Sequence, residues 1–306
     1  MTLDPQLEPL IEALDAGFPP VHTMTGAQAR ATIKSRFARP LDPEPVAEVR
    51  DVVVPGPGGD IPVRIYRPSH DASLPILIYG HGGGFVFCDL DSHDGLCRDI
   101  ANRTPAVIIS VDYRLAPEHP WPAAAEDFYA AAQWAADNAA DLGGDAQRIV
   151  LGGDSAGGNL AAVTAVMTRD RGGHPIAAQL LIYPVIAANF ATESYRLYGK
   201  GFYNPEPAMR WYWDQYVPAV ADRKHPYASP LQADLAGLPP AVVVIAGHDP
   251  LRDEGLMFAD ALDAAGVSTA RCVFEGGIHG FVTMPTLGIA QQARQESCRE
   301  LSRLLG

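Results

Sequence analysis

The chain reads as an α/β protein, a mostly parallel sheet of about eight strands with helices on both faces. Three observations carry this reading. Short apolar runs of the buried parallel-strand type recur along the chain. Helical patterns fall between them, and that alternation is the mark of a sheet wrapped on both sides. Finally, Gly153-Asp154-Ser155-Ala156-Gly157 lies between an apolar run, Arg148-Ile149-Val150-Leu151, and a small-residue helical pattern, Asn159 to Val163. One strand therefore turns sharply into one helix through a serine.

Taken in order, residues 1–45 hold two helix-like pieces, Leu7 to Leu14 and Gly26 to Phe37, and end in the proline-spaced Arg39-Pro40-Leu41-Asp42-Pro43-Glu44-Pro45. They read as an N-terminal helical appendage on a stiff linker. Residues 46–187 begin the core. Val49 to Val54 and Ile61 to Tyr66 are strands joined through the turn Pro57-Gly58-Gly59-Asp60, and Ile76 to Tyr79, Val107 to Val111, Ile149 to Leu151 and Leu180 to Tyr183 follow. Residues 226–306 complete the series with Val242 to Ala246 and Arg271 to Phe274. The helical patterns are Pro122 to Asn138, Ala156 to Thr168, Asp253 to Ala265 and Ile289 to Leu304.

Residues 188–225 interrupt the alternation with an aromatic-rich stretch that includes Phe190, Tyr195, Tyr203, Trp211, Tyr212 and Tyr216. It begins just after a strand end. Open α/β sheets bind ligands beyond the carboxyl ends of their strands, so this insertion is placed to cover a site.

Bulk properties narrow the field. The chain has 306 residues, 47% hydrophobic, enough for one large core. Its net charge of −13 disfavours nucleic acid and anionic membranes as partners. The four cysteines, Cys88, Cys97, Cys272 and Cys298, show no metal-site spacing, and neither a metal nor an organic cofactor is expected. No run approaches the ~18 apolar residues of a membrane span, and Met1 to Pro5 has no leader-like character. The default expectation is a cytoplasmic protein.

The chemistry centres on Ser155. A serine hydroxyl needs an adjacent base that is itself oriented by a third group. His279 follows the last strand in a glycine-flanked loop, Gly276-Gly277-Ile278-His279-Gly280, and is the best of nine histidines for the base. Asp249, after the strand Val242 to Ala246 and before Pro250, is the best acid, with Asp253 the runner-up. Asp253 and Glu254 read instead as first-turn carboxylates complementing a helix dipole. His81-Gly82-Gly83-Gly84 follows the strand Ile76 to Tyr79, and three successive glycines let backbone N–H groups approach a substrate closely. With the Ala156 amide they would make a three-donor oxyanion hole.

These blocks resemble the hormone-sensitive-lipase family of α/β-hydrolases, particularly its bacterial carboxylesterases. The resemblance rests on His81-Gly82-Gly83-Gly84-Phe85, Asp112-Tyr113-Arg114-Leu115-Ala116-Pro117-Glu118, Gly153 to Asn159, Asp249 to Glu254, and His279-Gly280-Phe281, running from about residue 75 to the C-terminus. It implies an α/β-hydrolase fold with a helical cap formed by the N-terminal helices and residues 188–225. It implies Ser155 as nucleophile, His279 as base and Asp249 as acid, with Gly83, Gly84 and Ala156 as oxyanion donors. His81 would brace the glycine loop, while Arg114 and Glu118 would be structural. The implied activity is hydrolysis of short- to medium-chain acyl esters. An amidase, carbamate hydrolase or acyltransferase could use the same residues, and a non-catalytic receptor could use the same scaffold. The stretch Thr269 to Glu275 reads as a sheet edge through which two copies could pair.

Overall fold

A computed structural model describes residues 2–36 and 43–306. Most of the linker expected at 39–45, and Phe37 at the end of the second expected helix, fall outside the described residues.

Eight strands form one sheet: β1 (Glu48–Gly56), β2 (Gly59–Arg67), β3 (Leu74–Gly80), β4 (Val107–Val111), β5 (Gly144–Asp154), β6 (Ala178–Ile182), β7 (Ala241–His248) and β8 (Thr269–Ile278). The spatial order is β1-β2-β4-β3-β5-β6-β7-β8. Strand β2 pairs antiparallel with both β1 and β4, and the remaining pairs are parallel. The central strands β3, β4, β6 and β7 are buried along their whole length, which is why they read as unbroken apolar runs rather than alternating ones. Strand β8 is an edge, as expected, and Val273 on it is 38% exposed.

The described helices are α1 (Ile11–Gly17), α2 (Gly26–Lys34), α3 (Asp94–Arg103), α4 (Ala123–Asp137), α5 (Ala156–Arg171), α6 (Glu193–Tyr198), α7 (Glu206–Tyr216), α8 (Arg252–Ala264) and α9 (Gly288–Leu305). Thr25 caps α2 in a reciprocal box with Gln28. Helix α3 was not expected from the sequence. Its apolar positions Leu96, Cys97, Ile100 and Ala101 recur at helical spacing and are all buried, but polar neighbours and the preceding loop mask the pattern. Two hydrophobic clusters fill the faces of the sheet. Of the described helices, none is long and apolar enough to cross a membrane.

The insertion contributes α6 and α7, and the N-terminal segment packs against it: the Phe18 and Tyr203 rings meet edge to face at 5.3 Å, and Asp15 accepts the Tyr203 backbone N–H at 3.0 Å. Both segments lie over the carboxyl ends of the central strands, where the functional side chains gather.

Candidate active site

Strand β5 runs into α5 through Ser155, whose backbone is held at φ 53°, ψ −114°. A positive φ at a non-glycine residue is strained and persists only where the surroundings impose it. The imposing contact is visible at Gly157, where a Cβ would come within 1.9 Å of the Gly80 carbonyl oxygen. The absence of that Cβ lets α5 start hard against the end of β3, and the serine is pushed up at the apex. As the first residue of α5, Ala156 has an N–H with no acceptor inside the helix.

His279 directly follows β8, and Asp249 directly follows β7. The structure brings these two side chains and Ser155 together. His279 Nε2 lies 3.0 Å from Ser155 Oγ, and its Nδ1 lies 2.7 Å from Asp249 Oδ2. Asp249 is fully buried and accepts the Leu251 backbone N–H at 2.8 Å through its other oxygen. An aspartate on Nδ1 leaves Nε2 as the acceptor for the serine proton. The Tyr183 ring packs against the imidazole at 4.8 Å.

Asp253 does not reach the histidine: it accepts the Ser194 backbone N–H at 2.7 Å and pairs with Arg252. Glu254 lies in the first turn of α8 as expected, yet it is fully buried instead of facing solvent. Its carboxyl accepts the Ile186 N–H at 2.7 Å, and burial pushes its pKa well up.

The glycine loop crosses the end of β3 beside Ser155. Gly83 and Gly84 have φ +116° and +59°, and a Cβ on Gly84 would lie 2.4 Å from the Tyr212 ring. His81 is fully buried beneath the loop and stacks on Tyr113 at 4.4 Å, and the Tyr113 hydroxyl donates to the His81 carbonyl at 2.7 Å. Burial, reinforced by neighbouring His93, pushes the His81 pKa down to about 4. Arg114 pairs with Asp127 at 2.8 Å and Glu118 pairs with Arg30, both away from the serine.

A group that sequence reasoning passed over lies behind this loop. Asp154, 4% exposed, accepts the Gly82 N–H at 2.9 Å and the Tyr79 hydroxyl at 2.8 Å, and His93 Nε2 stands 3.1 Å from the same oxygen. Burial alone would raise this carboxyl; the charge and hydrogen bond of His93, with the Tyr79 hydrogen bond, bring it below the ordinary value. The only local hint was an acid placed next to the candidate nucleophile.

Ser155, His279 and Gly82 to Gly84 open into a cavity of about 520 Å³, within the range of small-molecule sites. Phe18, Phe87, Tyr203 and Tyr212 line it from the N-terminal segment, the glycine loop and the insertion. His93, Asp99, Gln291 and Arg294 make another part of its wall more polar.

A serine at a strained strand–helix turn, hydrogen-bonded to a histidine held by an aspartate, defines a hydrolase of the α/β type. The chain belongs to the alpha/beta hydrolase fold family, in its hormone-sensitive-lipase-like group, whose family model matches residues 77–283. Carboxylesterase NlhH of Mycobacterium tuberculosis is 42% identical over 287 residues, covering 91% of this chain and 89% of that protein. Carboxylic ester hydrolase LipN of the same organism is 44% identical over 253 residues, covering 80% and 67%. A hyperthermophilic esterase from Pyrobaculum calidifontis superposes with a TM-score of 0.92 at 42% identity, over 99% of both chains.

Proposed function

We propose that the protein is a serine carboxylesterase that hydrolyses short- to medium-chain acyl esters through an acyl-enzyme. The observation that carries this reading is the continuous hydrogen-bond chain Ser155–His279–Asp249 at the floor of the cavity. The esterase and carboxylesterase names of its relatives support the same reaction.

In this reading His279 takes the Ser155 proton as the hydroxyl attacks the ester carbonyl. Asp249 holds the imidazole tautomer and stabilises the imidazolium that forms. The N–H groups of Gly83, Gly84 and Ala156 receive the oxyanion. His279 then protonates the departing alcohol, and water attacks the acyl-enzyme by the same route in reverse. His81 and Gly82 support the donors without touching the substrate.

Residues 2–36 and 188–225 act as the cap. Their aromatic side chains, with Phe87, close one part of the cavity and bound the acyl group. The substrate is a small ester, and the site takes neither nucleic acid nor membrane. A cytoplasmic location belongs to the same proposal, as does a homodimer formed through the exposed edge of β8.

The test is hydrolysis of p-nitrophenyl esters from acetyl to palmitoyl, with Ser155→Ala in parallel. Serine-dependent turnover that peaks at short or medium chains supports the reading. A maximum at palmitoyl, or activity surviving Ser155→Ala, overturns it.

A further inference from the structure

We propose that His93 is held as an imidazolium behind the glycine loop and, through Asp154, positions that loop for the reaction. The inference rests on the esterase reading for its effect on turnover, but not for the protonation state itself.

Ser92 Oγ has one hydrogen and stands 2.7 Å from the Asp89 carbonyl oxygen, to which it donates, while accepting the Asp89 N–H at 3.0 Å. It is also 2.9 Å from His93 Nδ1. With the hydroxyl hydrogen committed to a carbonyl, which can only accept, the proton on this contact must come from Nδ1. At the other end of the ring, Nε2 is 3.1 Å from Asp154 Oδ1. That oxygen already receives the Gly82 N–H and the Tyr79 hydroxyl, the pattern of an ionised carboxylate, so Nε2 must donate as well. Both ring nitrogens are donors only in the imidazolium. Gly82 N also lies 3.4 Å from Nε2, but its hydrogen has the nearer acceptor in Asp154.

The surrounding charges assign this cation to Asp154. Asp89, Asp91 and Asp94 flank His93 in sequence, but Lys34 pairs with Asp89 at 3.0 Å, and Arg64 pairs with Asp91 and Asp94 at 2.9 and 3.4 Å. From β3 and from the glycine loop after it, the Tyr79 and His81 rings face it at 6.3 and 5.7 Å. Burial and the charge of His93 keep His81 from carrying a second proton there. His93 and Asp154 are 4% exposed each. Such a buried pair is costly to break on one side, because the remaining charge stays unpaired.

The consequence falls on Gly82. Its N–H is tied to the carboxylate that immediately precedes Ser155 in the chain, so one ion pair sets the spacing between the glycine loop and the nucleophile. An uncharged His93 leaves Asp154 with a weaker set of donors, and the loop loses its fixed distance from Ser155. His93 also lines the cavity, yet its role here is to position, not to react.

The protonation state is read by selective ¹⁵N-histidine NMR of the intact wild-type protein, with the His93 signal assigned by its loss in His93→Gln. Two imidazolium-type nitrogen shifts at pH 7 are expected. A single neutral tautomer overturns the proposal, whether or not the protein cleaves esters. The functional arm follows kcat for p-nitrophenyl acetate against pH. Wild-type kcat should fall on the alkaline side. His93→Gln, which keeps a side-chain N–H donor without charge, should lower kcat about tenfold and flatten that limb while KM stays close to wild type. This is less than the ~10²–10³ that follows outright removal of an oxyanion donor. An unchanged kcat and alkaline limb in His93→Gln overturns the positioning role. Should that variant not fold, Ser92→Ala removes the Nδ1 acceptor, along with the two Ser92 Oγ hydrogen bonds to the Asp89 backbone, and should move the limb to lower pH; an unmoved limb counts against the proposal equally. Absence of turnover in the wild type alone would reject the esterase reading and leave the NMR result to stand.

Discussion

Asp249 Oδ2 lies 2.7 Å from His279 Nδ1, whereas Asp253, in the same segment, spends its carboxylate on the Ser194 N–H and on Arg252. Two acids four residues apart thus have different work, and the difference comes from the chain's direction. Asp249 lies at the end of β7, aimed at the loop after β8. Asp253 is already inside α8 and faces α6.

Asp249→Asn should therefore lower kcat by ~10⁴ with little change in KM, because the amide favours the wrong imidazole tautomer. Asp253→Asn should leave kcat within about tenfold of wild type, since it loosens only the attachment of α6. Steady-state kinetics of the two variants side by side check this. A larger loss in Asp253→Asn would move the acid.

Gly84→Ala should cost about 10² in kcat/KM while the protein still folds. The new Cβ would stand 2.4 Å from the Tyr212 ring, at a φ of +59°, so the loop and its N–H groups must shift. Circular dichroism melting together with p-nitrophenyl acetate kinetics separates a displaced donor from a lost fold. Wild-type kinetics would show that Gly84 is not needed where it stands.

Tyr212→Ala should lengthen the acyl preference. The Tyr212 ring forms part of the cavity wall and meets Phe87 edge to face at 5.6 Å, so its removal extends the cavity under α7. With one methylene in an apolar pocket worth ~1–3 kcal/mol, room for about one further methylene should raise kcat/KM for decanoyl over butanoyl esters about tenfold. A ratio unchanged from wild type would place the acyl group elsewhere in the cavity.

Asp112→Asn should stabilise the protein at alkaline but not acid pH. Burial first, and Asp89 second, raise the Asp112 carboxyl from 3.8 to about 6. The native state therefore holds this proton up to about pH 6, while the unfolded chain releases it near pH 4. Stability from this group falls as pH rises between those values and stays low above them. With solvent screening of this partly exposed side chain, the gain at pH 8 is on the order of 1 kcal/mol, or ~2 °C in Tm, with none at pH 4. Thermal melts at both pH values decide it; equal shifts at both would remove the charge from the explanation.

The local half of the structure was legible. The eight described strands fall where the sequence predicted them; β3, β4, β6 and β7 are the plainest, because a strand buried on both faces needs every side chain to be apolar and so writes its position in consecutive residues. The elbow was legible for a steric reason: only glycine at 153 and 157 permits the approach of α5 to β3. His279 and Asp249 could be found because strand ends in such a sheet converge on one face. Helix α3 was missed because its buried residues are interleaved with Asp94, Arg98, Asp99 and Arg103, whose charges are satisfied by partners near and far.

The sequence by itself determined the sheet, the sharp turn at Ser155 and the chemical types at the strand ends. Each of these is enforced by short-range sterics or by burial along a single segment. Only the tertiary structure decided that Phe18 joins Tyr203 in one cavity wall and that His93 stands against Asp154. These partners lie 185 and 61 residues apart in the chain. An ion pair or a cavity wall depends on which surfaces the packed sheet brings face to face, and no local pattern around either residue records its partner.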